Sequence, residues 1–151
     1  MLTRLSCTVE EMGLALDDVV ILLACNEYFV PYTAVAIQSI VEHMSPDRHY
    51  DIVVLTRDLT QRTIDSLVGH LPYPNMSLGF LNPEVALKGT KLPHHGHFRP
   101  ETFFRLLAPW LLPNVKKAVY LDSDLVALTD VAELFDTDVE GCLLGATRDA
   151  D

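Results

Sequence analysis

Glycine-rich phosphate loops are missing from this sequence. It contains neither G-x-G-x-x-G nor G-x-x-x-x-G-K-[ST], which excludes a dinucleotide fingerprint and a P-loop. Any phosphate would have to be held by side chains and a metal. Basic residues are scarce, with 11 lysines and arginines against 21 aspartates and glutamates, and the net charge is −10. That balance excludes nucleic acid or an anionic membrane as a partner held by general attraction. An anionic ligand would need a metal and a few placed arginines to offset the background. Cysteine is limited to Cys7, Cys25 and Cys142. An odd number without framework spacing reads as reduced, buried thiols in a cytoplasmic protein. No apolar run approaches the length of a membrane span, the N-terminus lacks the basic-then-apolar pattern of a secretion signal, and there is no internal repeat or low-complexity segment.

What is present is apolar material: 49% of 151 residues are hydrophobic, enough for one globular domain with a sizeable core. Leu2, Leu5, Val9, Met12 and Leu16 recur at steps of three and four, which predicts a helical leader over 1–18, packed on its own domain. The domain proper, 19–151, opens with Val19 to Cys25, a continuous apolar run suited to a strand buried on both faces. Helices are expected from about Pro31 to His43, with proline in the first turn, and from Thr60 to Leu71, with Thr60 as N-cap. Further strands are expected at Tyr50–Thr56 and Met76–Leu81. After a loop at Asn82–Pro100, Glu101–Leu111 reads as a helix with Phe103, Phe104, Leu106 and Leu107 on a broad apolar face. Ala118–Leu121 reads as a strand, Val131–Phe135 as a short helix and Cys142–Thr147 as a last strand. Strands alternating with helices predict an α/β fold with a largely parallel sheet covered on both sides.

The stretch K-A-V-Y-L-D-S-D-L-V-A-L at 117–128 is the centre of this arrangement. Alternating side chains in an extended segment would point Asp122 and Asp124 the same way from the end of a buried strand, where open α/β sheets place their ligands. Two like charges so close favour a cation between them, or a retained proton. A divalent metal is the first expectation; a solvated acidic turn is the structural alternative.

Asn26, Glu27, Tyr28 and Phe29 come directly after the first strand, where an aromatic can stack on a base and an amide can read its edge. A polar loop with Phe29 tucked beneath it is the alternative. His94, His95 and His97 suggest zinc, but no cysteine or carboxylate has ligand spacing to complete a site. Arg105 lies on an otherwise apolar stretch. A charge in such a setting is usually paired, either with a structural carboxylate or by reaching a phosphate or sugar hydroxyl beside the aspartates.

Taken together, A-C-N-E-Y-F-V-P-Y-T-A-V-A-I-Q-S-I at 24–40, T-F-F-R-L at 102–106, Y-L-D-S-D-L-V-A-L at 120–128 and D-V-A-E-L-F-D-T-D at 130–138 resemble glycosyltransferase family 8. The likeness runs from about Val19 to the last residue. The resemblance implies a Rossmann-like nucleotide-diphospho-sugar transferase fold of the GT-A type, mostly parallel, with helices on both faces and truncated at its C-terminus. It implies a retaining, metal-dependent hexosyltransferase using Mn²⁺ or Mg²⁺, a UDP-sugar donor and a saccharide or lipopolysaccharide-type acceptor. The cellular place it implies is the cytoplasm, or the inner face of the membrane as a peripheral protein. Residue by residue, Asn26 matches a nucleotide-contacting position, Phe29 the tyrosine that stacks on uracil, and Arg105 an arginine that holds the sugar-diphosphate. Asp122 and Asp124 match the metal-binding D-x-D, and Ala24, Cys25 and Ser123 accompany them in the donor site. His97 and Asp149 match positions on the acceptor side.

The sequence also departs from the family pattern. Asn26-Glu27 replaces a more acidic pair, and Phe29 lacks a tyrosine hydroxyl. The family's later half supplies an N-A-G-type loop, an acidic or amide residue beside the sugar and a histidine as third protein ligand, none of which occurs here. The expectation is therefore a portion of a longer enzyme, or a shortened relative that binds donor without turning it over. A haloacid-dehalogenase-type phosphatase also places D-x-D after an apolar strand, but no lysine comes after Asp124. A sheet with an exposed apolar edge further suggests a homo-oligomer.

Overall fold

The computed structural model describes residues 5–6, 8–13, 19–69, 74–86 and 101–148. The elements run β1 (Leu5–Ser6), α1 (Val9–Met12), β2 (Val19–Ala24), a 3₁₀ turn (Glu27–Phe29), α2 (Val30–Glu42), β3 (Tyr50–Leu55), α3 (Gln61–Gly69), β4 (Met76–Leu81) and α4 (Pro83–Ala86). They continue with α5 (Glu101–Phe104), a second 3₁₀ turn (Arg105–Leu107), α6 (Ala108–Leu111), β5 (Val119–Tyr120) and α7 (Val131–Phe135). The sheet order is β1-β4-β3-β2-β5, and every pairing is parallel.

Parallel strands need covered faces, and their uninterrupted apolar sequences supply both. On one face Val19, Ile21, Leu23, Ile52, Val54, Leu78 and Phe80 pack against Ile37 and Ile40 of α2, Ile64 of α3 and Val131 of α7. On the other, Val20, Leu22, Val53, Leu55 and Leu81 meet Met12 of α1, Phe104 of α5 and Leu111 of α6. The expected α/β architecture with helices on both faces is therefore present.

Three expectations are corrected. Among the described residues of 1–18 the helix covers Val9–Met12, where Gly13 adopts φ 64° and its N–H closes the helix on the Glu10 carbonyl. Leu5–Ser6 instead adds a strand beside β4. The helix expected over Glu101–Leu111 breaks at Arg105. Pro109 has no N–H to offer the Arg105 carbonyl, which takes the tighter i+3 bond from Ala108 instead. The break leaves Leu106 61% exposed, outside the expected apolar face. Finally, Cys142–Thr147 forms no strand. The Cys142 N–H closes a turn on the Val139 carbonyl at 3.0 Å instead, and Leu143 and Leu144 are exposed beyond it. Cys142 is likewise exposed, whereas Cys25 is buried as expected.

Candidate functional site

The C-terminal ends of β2 and β5 lie side by side at one margin of the sheet, and the candidate residues gather there. β2 ends at Ala24, and the ladder is carried one residue further by the Cys25 N–H, which donates to the Leu55 carbonyl at 3.0 Å. Asn26 then turns the chain. Its buried side-chain oxygen accepts from the backbone N–H groups of Tyr28 (3.0 Å) and Phe29 (3.1 Å), capping the 3₁₀ turn. The Oδ1 of Asn26 is thereby committed to the cap.

The turn decides which aromatic is exposed. Phe29 lies half-buried against the core, with Tyr28 edge-on at 5.7 Å, which agrees with the tucked reading of Phe29. Tyr28 is 70% exposed. Its aromatic character is plain in the sequence, one position before Phe29, but only the 3₁₀ geometry separates the outward ring from the inward one.

The buried Cys25 thiol is disfavoured from ionising. Burial pushes its thiol up to about 11, against a lowering contribution from the Thr33 hydroxyl 3.0 Å away. Glu27 has a structural task. The Thr60 backbone N–H donates to it at 2.6 Å and the Thr63 hydroxyl at 2.9 Å, which holds its carboxyl below the usual range and charges the start of α3 favourably.

β5 is shorter than expected, ending at Tyr120, although the Leu121 N–H continues the ladder to the Leu22 carbonyl at 2.9 Å. Asp122 therefore lies in the loop beyond the strand and Asp124 in the turn that follows it. The alternation survives even so: both aspartates are exposed and Ser123 between them is buried. Its hydroxyl donates to the Ala24 carbonyl, fastening the D-S-D segment to the tip of β2.

Arg105 joins this corner from the tightened turn after α5. Its Nη2 donates to Asp122 Oδ1 at 2.8 Å, its Nε donates to the Thr102 carbonyl at 3.1 Å, and its guanidinium lies 4.5 Å from the centre of the Tyr120 ring. The paired reading of Arg105 is the one observed, and its partner carboxylate belongs to the D-S-D segment.

Asp122 and Asp124 offer hard oxygen donors, which suit Mn²⁺ or Mg²⁺, ions that retain water or phosphate oxygens in their shells. Among the described residues no group of three His, Cys, Asp or Glu side chains is placed to hold a metal. A cation held by these two carboxylates would need the rest of its shell from other oxygen donors. His94, His95, His97 and Asp149 lie outside the described residues.

The family model of glycosyl transferase family 8 matches residues 20–151, nearly the whole chain. The chain belongs to glycosyltransferase family 8. Glycosyltransferase 8 domain-containing protein 1 of Rattus norvegicus is 26% identical over 125 residues, which cover 80% of this chain and 33% of the rat protein. Among solved structures, the apo form of the WbbM bifunctional glycosyltransferase matches with TM-score 0.69 and 29% identity over 81% of this chain and 21% of its own. The galactosyltransferase LgtC, solved in complex with donor and acceptor sugar analogs, matches with TM-score 0.62 and 24% identity over 80% of this chain and 43% of its own. At that identity the likeness to LgtC is one of fold. This family 8 chain spans about a third of the rat relative's length. Its GT-A-type architecture agrees with the expected fold, and family membership sets aside the phosphatase alternative.

Proposed function

We propose that this chain forms the donor-binding portion of a metal-dependent, retaining glycosyltransferase that moves a hexose from a UDP-sugar to a saccharide or lipopolysaccharide-type acceptor. The observation that carries the reading is the corner itself: the D-S-D segment tied through Ser123 to Ala24, with Arg105 paired to Asp122. In such a transfer the leaving group is a nucleoside diphosphate, and its departure builds negative charge on a phosphate oxygen.

Asp122 and Asp124 would hold the cation, and a bound Mn²⁺ or Mg²⁺ supplies Lewis-acid stabilisation of that oxygen. Arg105 contributes a second positive group from a preset position. Two of its five N–H groups are engaged with Asp122 and Thr102, and phosphate oxygens would be met by others of the five. Tyr28 offers an exposed ring face to the base, and Asn26 Nδ2 can donate to its edge. Net retention of configuration comes from the family resemblance.

Calorimetry with UDP in the presence and absence of Mn²⁺ tests this. Binding should require the metal and be lost in Asp122→Asn and Asp124→Asn; UDP binding indifferent to Mn²⁺ and to both substitutions would remove the reading. Metal-dependent binding of a UDP-hexose without its hydrolysis would select a half-domain that holds donor without turnover over a chain active by itself.

A further inference from the structure

We propose that Tyr120 is the positioning residue that aims Arg105. This deepens the function proposed above and rests on its assignment of Arg105 to phosphate. An arginine on a short 3₁₀ turn has little to fix its direction. Arg105 has a side-chain relative exposure of 39% and Asp122 of 59%, and an exposed pair of this kind is worth little in water because screening and side-chain entropy offset the attraction. The 2.8 Å contact with Asp122 therefore does not by itself hold the guanidinium in one orientation. A phosphate site needs that orientation, since the planar fork of arginine recognises oxygen pairs only when its plane is set.

Tyr120 supplies the missing constraint. It is the last residue of β5, in parallel register with Leu22, and its side chain packs with the cluster that contains Leu22, Phe104 and Leu111. The ring is anchored by the core below, and its face lies 4.5 Å from the Arg105 guanidinium carbon. Aromatic faces attract cations, most often arginine, at this range. Tyr120 stands two residues before Asp122, so one strand end presents both the surface carrying the guanidinium and the carboxylate meeting its edge. The Thr102 carbonyl, 3.1 Å from Nε, closes the third side.

The attraction comes from the ring face, so Tyr120→Phe should keep it and Tyr120→Leu should lose it while still filling the space. UDP titrated with Mn²⁺ into the full chain should bind Tyr120→Phe as it binds the unsubstituted protein. Tyr120→Leu should bind about two- to five-fold more weakly, the size of an exposed cation–π contact. On an Arg105→Ala background, Tyr120→Leu should cost nothing further, because the residue acts through Arg105. An equal loss on both backgrounds, or a loss in Tyr120→Phe as large as in Tyr120→Leu, overturns the proposal.

The Arg105 Nε–Hε signal in a nitrogen–proton correlation spectrum reads positioning without any ligand. It should be resolved and ring-current shifted in the unsubstituted protein and in Tyr120→Phe, and revert to the solvent-exposed arginine position in Tyr120→Leu. An unchanged signal in Tyr120→Leu overturns the proposal. If the signal moves as expected while Arg105→Ala leaves UDP binding intact, positioning stands and the phosphate role of Arg105 fails. Should Tyr120→Leu not fold, Tyr120→Met carries the same comparison.

Discussion

Asp130 shows how much a single side chain can join. Its carboxylate accepts from the fully buried Tyr50 hydroxyl at 2.8 and 2.9 Å, from the Ser45 N–H at 3.2 Å and from the Ala132 N–H at 2.9 Å, where it caps α7. Replacing it by alanine removes a cap and strands a buried hydroxyl, which together cost about 2–3 kcal/mol. Urea unfolding of Asp130→Ala should show a lower midpoint at unchanged slope. The same tyrosine makes the protein sensitive to alkali. Burial and the hydrogen bond to Asp130 push Tyr50 from 10.0 to about 12, burial pushes Tyr120 from 10.0 to about 12, and burial pushes Cys25 from 9.0 to about 11. Each group keeps its proton longer when folded than when unfolded, so between these values the native state binds more protons and stability falls as pH rises. Unfolding midpoints should hold up to about pH 9 and decline steadily toward pH 12; a midpoint constant across that range would contradict the burial assigned to these side chains.

Among the elements, the site depends on a break. α5 and α6 would form one helix were it not for Pro109, and the tight turn this imposes is what carries Arg105 beside Asp122. Pro109→Ala should therefore raise the helical circular dichroism signal while weakening Mn²⁺-dependent UDP binding; increased helicity with unchanged affinity would show that the turn is incidental. β5 has the opposite problem, being only two residues long. The Ser123 hydroxyl fastens the D-S-D segment beyond its end to β2. Ser123→Ala should cost about 1 kcal/mol in urea unfolding. Thr60 caps α3 as the sequence suggests, with its hydroxyl accepting from the Thr63 N–H at 3.2 Å. Neither the 3₁₀ turn at Arg105 nor the Gly13 stop was legible. Both lie inside apolar patterns of helical period, and periodicity records which face is buried without recording where a proline or a left-handed glycine interrupts the hydrogen bonding.

For the molecule as a whole, the two apolar faces of one parallel sheet set the architecture, and β5 stands at the margin of that sheet among the described residues. Beyond it Val126, Leu128, Leu134, Leu143 and Leu144 are exposed, and Leu121, Leu125, Leu128 and Leu134 line an open groove of about 370 Å³. A strand edge without a partner among the described residues, together with exposed leucines, favours self-association. Light scattering should show mass rising with concentration, and Leu143→Ser with Leu144→Ser should suppress the rise; a constant monomer mass would refute the expectation.

Local pattern in the chain was enough to set the alternation of strands and helices, the buried character of β2, β3 and β4, and the adjacency of Asp122, Ser123 and Asp124. A strand buried on both faces must be apolar throughout, and neighbouring residues cannot separate. Folding in three dimensions was needed to turn Tyr28 outward and Phe29 inward, to bring Ser123 to the tip of a strand 99 positions earlier, and to lay the Arg105 guanidinium on Tyr120. Those contacts join residues far apart in the chain or distinguish neighbours by a turn, and side-chain direction across such gaps is set by packing, to which one-dimensional spacing is blind.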